Sequence, residues 1–419
     1  MAQRIAIIGS GMAGLAASWF LGEKHQVTLF ERQSRLGIGA HSVQAPGGVV
    51  DVPLRVIYPG YYPELFALLA QTGVPVEPLD AALGFSDFGG ASYFRYRNLK
   101  LVGNKTLPWV MPATWLRSPS RQIVWDLGRF LWQTPQALAA GQLANRTIGD
   151  YLDQQRFSMA FADRFLVPAF AGINTVSCDE VRNYPAELIA QYFNRAFVLS
   201  SVYRAVGGAQ AIAQALSAHV AQLTLDARIQ SVRRQRHGVV VAMDDGSAET
   251  FDAVVFATQA NQVLAMLQDA SPAERDVLAA VRYGGVRVVM HHDERLMPAR
   301  RADWGPVNYI LSPDQDRPMV SIWVNRLLPT HQHARPLFQT INPMLEPLPA
   351  LVLQDCSLQR PIVDLATQAN LQQLHALHDQ SERRVFFCGS YAAQGIPLLE
   401  SAVASDQHLA QAACFNSGR

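Results

Sequence analysis

The sequence predicts an α/β protein with a Rossmann-type domain, and three observations lead to this fold class. Apolar residues 4–8 read as a buried strand, a glycine-rich turn follows, and residues 12–21 read as a helix. A second apolar strand, residues 26–30, ends at Glu31. The chain has 419 residues, of which 49% are hydrophobic and 16% charged, so it can form two structural units with a sizeable core.

The turn between the first strand and the helix reads GSGMAG, a GxGxxG motif. Gly9 permits the tight turn, Gly11 lets the backbone approach a pyrophosphate, and Gly14 lets the helix pack closely on the strand. The amides at the helix start favour negative charge. Glu31 follows Gly9 by 22 residues and can accept hydrogen bonds from ribose hydroxyls. The motif predicts a bound dinucleotide; the alternative is a glycine-rich turn in a nucleotide-free α/β domain.

Composition excludes several classes of function. The formal net charge is +1, which disfavours a nucleic-acid binder that relies on a basic surface. The four cysteines, Cys178, Cys356, Cys388 and Cys414, lie far apart without CxxC or metal-ligand spacing, so we expect no disulfide framework and no metal site. No apolar stretch of spanning length occurs, and we expect a cytoplasmic protein.

The segment after the second strand identifies the dinucleotide by resemblance. Residues 31–42 read ERQSRLGIGAHS, which resembles the ERxxRxGG(R/H) extension of the flavin-dependent amine oxidase and phytoene desaturase superfamily. There the arginines and glycines continue along the FAD diphosphate and ribityl chain. The resemblance therefore implies FAD and places Ala13, Arg32, Arg35 and Gly39 at the cofactor, with covalent attachment through His41 as a minor option. Arg32 beside a 2'-phosphate, and hence NADP, is the alternative.

Later segments extend the resemblance, specifically to the bacterial branch of NAD/FAD-binding, amine-oxidase-like proteins. The segments are VGGAQAI (206–212), ARIQSV (227–232), FDAVVFATQA (251–260), VFFCGSY (385–391) and LLESAVAS (398–405). They resemble, in order, a helix-opening turn, an adenine-contacting strand, a returning cofactor strand, the closing strand and the flavin-facing helix. The resemblance assigns further cofactor contacts to Val232, Gly389, Ser390, Leu398 and Leu399.

This organisation predicts a GR2-like, Rossmann-type FAD-binding domain interleaved with an α+β substrate domain. The FAD-binding domain is discontinuous and comprises residues 1–85, 203–268 and 355–419. The substrate domain comprises residues 86–202 and 269–354. We expect the proline-rich stretch from 329 to 361 to form an irregular connection.

Arg55 and Tyr58 are candidate catalytic residues. They lie in DVPLRVIY (51–58), at the position of a D-x-G segment that runs beside the flavin ring in the bacterial branch; Pro53 replaces the glycine. An arginine there could bind a substrate carboxylate or stabilise an anionic intermediate. The alternative is an arginine paired with Asp51 or with an acid at a domain interface. Tyr58 could form an aromatic wall, or pack in the core.

Arg287 is the third catalytic candidate. It lies in a predicted strand, 283–290, on the face opposite the alternating apolar residues. Flavin amine oxidases carry a lysine at the matching place, where it holds a water at flavin N5. Arginine cannot act as a base, so the resemblance implies a fixed positive charge rather than conventional amine oxidase chemistry. Residues 395–398 read GIPL and lack the usual cage aromatic, which favours a less polar substrate.

The segment 88–140 is strongly basic and rich in tryptophan. It contains seven Lys and Arg residues against one acid, Asp126, a net charge of +6, together with four tryptophans. This composition is typical of a membrane-surface or lipid-access segment. The alternative is a substrate-domain helix with tryptophan in the core and arginine at the surface.

The sequence thus predicts an FAD-dependent oxidoreductase of the amine-oxidase-like type. It would take a hydride from a largely apolar small molecule, whether amine, amino-acid-derived or lipid-like, to flavin N5, with oxygen or another acceptor reoxidising the flavin. One alternative is a desaturase or isomerase acting on a lipid or polyene at the membrane surface. Another is a flavin-binding subunit without chemistry of its own. The oligomeric state stays open.

Overall fold

A computed structural model describes residues 2–100, 106–115, 118–197 and 201–410. The strands, numbered in chain order, are β1 (Arg4–Ile8), β2 (Gln26–Phe30), β3 (Val43–Ala45), β4 (Gly48–Val50), β5 (Val76–Leu79), β6 (Leu83–Asp87), β7 (Ser92–Lys100), β8 (Thr106–Val110), β9 (Val202–Ala205), β10 (Gln222–Thr224), β11 (Ile229–Gln235), β12 (Gly238–Met243), β13 (Ala248–Phe251), β14 (Ala253–Phe256), β15 (Tyr283–His291), β16 (Val307–Ser312), β17 (Gln315–Trp323), β18 (Phe338–Ile341), β19 (Val352–Pro361) and β20 (Val385–Phe387).

The α-helices are α1 (Met12–Gly22), α2 (Pro63–Gln71), α3 (Pro112–Trp115), α4 (Ser118–Ala139), α5 (Ile148–Gln154), α6 (Met159–Phe161), α7 (Val167–Asn174), α8 (Cys178–Arg182), α9 (Ala186–Tyr192), α10 (Gly208–Leu216), α11 (Ala260–Met266), α12 (Pro272–Ala279), α13 (Val324–Leu327), α14 (Leu365–His378) and α15 (Leu399–Ala410). In the part of the chain that the structure describes, no helix is long and apolar enough to cross a membrane.

A parallel five-stranded sheet carries the glycine-rich turn. Its strand order is β10-β2-β1-β14-β20, and every neighbouring pair is parallel. The strands are short and almost entirely apolar, as expected for a sheet that is covered on both faces. Helices α1 and α15 pack against each other beside this sheet. The predicted strand, turn, helix and second strand at the start of the chain are confirmed, as is the α/β fold class.

The second large element is an eight-stranded mixed sheet. Its order is β19-β15-β18-β17-β16-β6-β7-β8. The expectation of an irregular connection from 329 to 361 is wrong, because this stretch contributes β18 and β19. Sheet membership also moves two predicted domain boundaries: β6 spans position 85 and β19 spans position 355, and both strands pair within the larger sheet.

The glycine-rich turn depends on close backbone packing. Gly9 has a φ of +101°, in the region that favours glycine. A Cβ atom at Gly14 would lie only 1.8 Å from the carbonyl oxygen of Gly9, so the helix can approach the strand only with glycine there. A Cβ at Gly11 would meet no other atom within 4 Å. The turn is therefore packed tightly behind Gly14 and open in front of Gly11.

The basic, tryptophan-rich segment folds as a hairpin of β7 and β8 followed by α3 and α4. Its four tryptophans are exposed, by 54% for Trp109, 44% for Trp115, 75% for Trp125 and 68% for Trp132. The alternative that placed these tryptophans in the core is wrong, because α4 turns Ile123, Phe130 and other apolar residues inward instead.

Candidate functional site

A groove with a volume of about 910 Å³ lies at the carboxyl ends of β1, β2 and β14. Its wall contains the first half of the glycine-rich turn, the residues that follow β2 and the residues that follow β14. In open α/β sheets, ligands bind in the crevice at this end of the strands. The volume lies within the range of about 300–1,000 Å³ that is usual for ligand sites.

A smaller cavity of about 230 Å³ continues from the groove. The starts of α1 and α15 and the residues after β20 all reach it. Gly11, Gly37 and Arg55 line both spaces. The two together form one elongated site, with the start of α15 at its far end.

The structure brings most of the predicted cofactor residues to this site. The groove is lined by Gly9, Gly11, Glu31 and Arg32. The smaller cavity is lined by Gly11, Ala13, Gly389, Ser390, Leu398 and Leu399. Gly14 lies directly behind the turn, against Gly9. Their individual contacts with a cofactor stay predictions, but segments nearly 400 residues apart in sequence do meet here.

Three predicted cofactor residues lie elsewhere. Arg35 and Gly39 line a separate cavity beside α10. Val232 is fully buried inside β11, where its carbonyl oxygen accepts a hydrogen bond from the amide of Gln268. The groove is lined instead by residues 227–229, just before and at the start of that strand. The prediction that Val232 contacts the cofactor is therefore corrected, because the backbone of Val232 already pairs with β12 and with Gln268.

Glu31 is buried at the base of the groove and is held firmly. Its Oε2 accepts hydrogen bonds from the amide and hydroxyl of Ser10, and its Oε1 accepts one from the amide of Gln33 at 2.9 Å. A carboxylate offers about four acceptor positions, so one on Oε1 is left for a hydroxyl group of a ligand. The expected contact with ribose fits this geometry for one hydroxyl.

Arg55 is not paired with Asp51. Both oxygens of Asp51 accept hydrogen bonds from the amide of Ala209, and Oδ1 also accepts one from the hydroxyl of Ser42. Asp51 therefore stabilises the start of α10. Arg55 donates from Nη2 to the carbonyl oxygen of Ile38 at 2.7 Å, and burial lowers its pKa to about 10.

This geometry fits FAD. The turn offers free space in front of Gly11, where a diphosphate must approach the backbone, and the start of α1 supplies amides and a favourable dipole. Glu31 stands at the ribose end, and the start of α15 lies at the opposite end, where an isoalloxazine ring would reach.

Comparison with known proteins agrees with this assignment. The family described as flavin containing amine oxidoreductase matches residues 12–326. The chain belongs to the flavin-containing amine oxidoreductase family. Membership confirms FAD as the cofactor.

Individual relatives of this chain are distant. AofH of Mycobacterium tuberculosis, a protein assigned as a flavin-containing monoamine oxidase, is 26% identical over 300 residues, which cover 66% of this chain and 61% of AofH. Among solved structures, a fatty acid isomerase from P. acnes that produces CLA has a TM-score of 0.68 at 16% identity, covering 97% of this chain and 98% of that one. An engineered putrescine oxidase has a TM-score of 0.64 at 14% identity, covering 98% of each chain. The structural matches establish the fold.

Arg287 does not reach the elongated site. Its guanidinium forms ion pairs with Glu346 at 2.7 Å and with Asp355 at 2.6 Å, and these carboxylates raise its pKa. The side chain lines a separate cavity beside the groove, and Arg32, Gln259, Gln262 and Leu358 line both spaces. The expectation that Arg287 faces the flavin of this family member is corrected, because two carboxylates hold and neutralise it.

Tyr58 also lies away from both spaces. It is buried in an aromatic cluster, with ring centroids 6.4 Å from Tyr62 and 6.2 Å from Tyr192. Burial raises its pKa, and Tyr192 is its hydrogen-bond partner. This position agrees with the core-packing alternative for Tyr58.

Arg360 is a site residue that the sequence interpretation missed. It lines the smaller cavity near the end of β19, and burial lowers its pKa. Along β19, Cys356, Leu358 and Arg360 occupy the less exposed face, while the residues between them point outward. The side chains of every second residue share one face of β19, and this spacing is the signal that could identify Arg360 from the sequence. The expectation of an irregular connection from 329 to 361 hides it.

Proposed function

We propose that this protein is an FAD-dependent oxidoreductase acting on a largely apolar small molecule, whether amine, amino-acid-derived or lipid-like. FAD held by the glycine-rich turn and the starts of α1 and α15 would supply a hydride acceptor at N5 and a route for electrons to oxygen or another acceptor. The observation that carries the proposal is the elongated site, which joins a dinucleotide-sized groove to a small cavity with an apolar rim at Pro397, Leu398 and Leu399.

The residues of the chain have separate tasks in this proposal. The backbone of the glycine-rich turn and the start of α1 bind the diphosphate. The start of α15 supplies a partial positive charge at the far end of the site and favours negative charge on the ring. Arg55 adds a full positive charge between the two spaces. The apolar rim excludes water from the reacting groups.

Family membership alone favours conventional amine oxidation, but the residues of the site support it less well. No lysine is found among the described residues that line the elongated site, and Arg287, which lies outside it, is bound to Glu346 and Asp355. Positive charge in the smaller cavity would also repel an ammonium group. We therefore infer that the preferred substrate is not a simple cationic amine.

Anaerobic reduction of the bound flavin tests this proposal. FAD-loaded protein would be mixed without oxygen with amines, amino acids, fatty acids and polyenes, and the loss of visible flavin absorbance followed. Bleaching by an apolar compound supports the proposal, and bleaching by polar amines alone contradicts the substrate class. Flavin that no compound reduces, but that a partner protein needs for stability, would favour a non-catalytic flavin-binding subunit.

A second candidate, a desaturase or isomerase acting on a membrane lipid, is favoured by the exposed surface of the 88–140 segment. The pairing of β7 with β8 places Leu99 opposite Leu107 and Arg97 opposite Trp109, which puts all four on one face. Leu99, Leu107 and Trp109 are 45%, 42% and 54% exposed. An exposed face that combines leucine, tryptophan and arginine is typical of contact with an anionic membrane surface.

A further inference from the structure

Two residues that line the smaller cavity carry a buried polar atom without a hydrogen-bond partner in the part of the chain that the structure describes. These atoms are Nε of Arg55 and the hydroxyl group of Tyr391. A buried polar group without a partner is unfavourable and uncommon in folded proteins. Because the cavity is part of the cofactor site, FAD is the ligand that can supply the missing partners.

Arg55 is explained by the diphosphate. Its side chain lines both the groove and the smaller cavity, as Gly11 of the glycine-rich turn does. A guanidinium at this place suits the two negative phosphates of the cofactor. Tyr391 differs, because burial raises the pKa of its hydroxyl group and keeps it neutral. A neutral phenol is a hydrogen-bond donor without charge, so it has no particular need of a phosphate.

The position of Tyr391 in the parallel sheet indicates which half of FAD it faces. Four strands of this sheet follow one another in the order β2-β1-β14-β20. Glu31, after β2, is the expected ribose contact of the adenosine half, and the turn after β1 is the expected diphosphate site. Tyr391 follows β20, which lies three strands from β2 and thus about 14 Å away at the usual strand spacing. Tyr391 therefore lies toward the flavin half of the cofactor.

The ring of Tyr391 is fixed in place by packing. It lies against Gly389, where a Cβ atom would be only 2.8 Å from Cε1 of the tyrosine, and it belongs to a buried apolar cluster with Phe387. A second tyrosine of the cavity, Tyr283, already uses its oxygen to accept a hydrogen bond from the amide of Ala260 at 2.8 Å. The hydroxyl group of Tyr391 is thus held at the site with its donor unused.

We propose that the hydroxyl group of Tyr391 donates a hydrogen bond to the flavin half of FAD, either to the ribityl chain or to the isoalloxazine ring. Tyr391 is then a further cofactor-binding residue, from the loop between β20 and α15. This role accounts for a hydroxyl group where phenylalanine would fill the same space without an unpaired polar atom. The inference shares only the cofactor with the proposed function and is independent of the substrate class.

Tyr391→Phe tests the proposal, because it removes the hydroxyl group and keeps the ring. The variant should bind FAD about fivefold more weakly than wild type, the loss expected for one neutral hydrogen bond. It should bind ADP, which has no flavin half, as tightly as wild type does. Flavin fluorescence titration measures the first affinity and titration calorimetry the second. The urea midpoint of the flavin-free variant should be unchanged or higher, since the hydroxyl group has no partner within the protein.

Tyr309→Phe is the matched control. Tyr309 is also buried, but its hydroxyl group donates to the carbonyl oxygen of Ala169 at 3.2 Å. This variant should bind FAD as wild type does and unfold at a lower urea concentration. Unchanged FAD affinity in Tyr391→Phe overturns the inference, and so does an equal loss of affinity for ADP and FAD. If polar amines alone reduce the bound flavin, the proposed function falls and this inference stands. Wild-type protein that binds no FAD removes both.

Discussion

Two glycines of the same turn have different physical roles. Gly14 is required by the fold, because a Cβ there would lie 1.8 Å from a backbone oxygen of Gly9. Gly11 has no such neighbour, and its φ of −66° is allowed for every residue type. The space in front of Gly11 is therefore not needed for packing within the protein and is open to a ligand.

The difference predicts the behaviour of Gly11→Val. The variant should fold with nearly wild-type stability, since the new side chain meets open space, but its affinity for FAD should fall at least about tenfold, or ~1.4 kcal/mol. Flavin fluorescence titration measures the affinity, and urea unfolding of the flavin-free protein measures stability. Gly128→Val on α4 is the control, because its Cβ position is equally open but far along the chain from the turn. Unchanged FAD affinity in Gly11→Val would refute the assignment of the turn.

Arg55, Arg287 and Arg360 show how far residue roles can be predicted from sequence. The motif around Arg55 predicts that it is a site residue, and in the structure its side chain lines both the groove and the smaller cavity. Arg287 was assigned by position in its strand, but its partners Glu346 and Asp355 follow it by 59 and 68 residues. No local pattern connects such distant charges, so the neutralised state of Arg287 could not be predicted.

Among the secondary-structure elements, the β7–β8 hairpin and α4 each expose apolar and basic side chains. On α4, Trp125 and Trp132 are separated by seven residues, which places them on the same side of the helix. Tryptophan is enriched where proteins meet the headgroup region of a membrane. Residues 101–105, which include Lys105, and the side chain of Lys100 lie outside the described residues.

This surface predicts binding to anionic vesicles. The protein should co-sediment with vesicles that contain phosphatidylglycerol more strongly than with neutral ones, and added salt should weaken the binding. The double variant Trp125→Ser, Trp132→Ser should bind about tenfold less tightly and still fold, because both side chains are largely exposed. Leu353→Ser on β19, which is also exposed, is the control and should bind as wild type does. Equal partitioning of wild type and the double variant would exclude a membrane role for α4.

The sequence predicts some strands of this protein and not others, and the difference has a physical reason. β1, β2, β14 and β20 are short apolar runs next to characteristic turns, and such runs are recognisable without tertiary information. β19 has no regular alternation of polar and apolar residues and ends in a proline, although its exposure alternates along the strand. Its pairing with β15, 60 to 80 residues away, identifies it as a strand only in the folded protein.

Over the whole molecule, three separated stretches of chain build the parallel sheet and its cofactor groove. β1 and β2 come from the first 30 residues, β10 and β14 from the middle and β20 from the last part of the chain. The larger sheet contributes Arg360 to the far end of the same site. Binding of FAD at this junction should therefore stabilise the molecule as a unit, through preferential binding to the folded state.

Direct uptake of the cofactor tests whether this junction is an FAD site. Protein freed of any bound flavin would be titrated with FAD while the visible absorption spectrum is recorded. The predicted result is saturable binding of one FAD per chain, with flavin bands shifted from those of free FAD. Protein that stays colourless and takes up no FAD would contradict the claim.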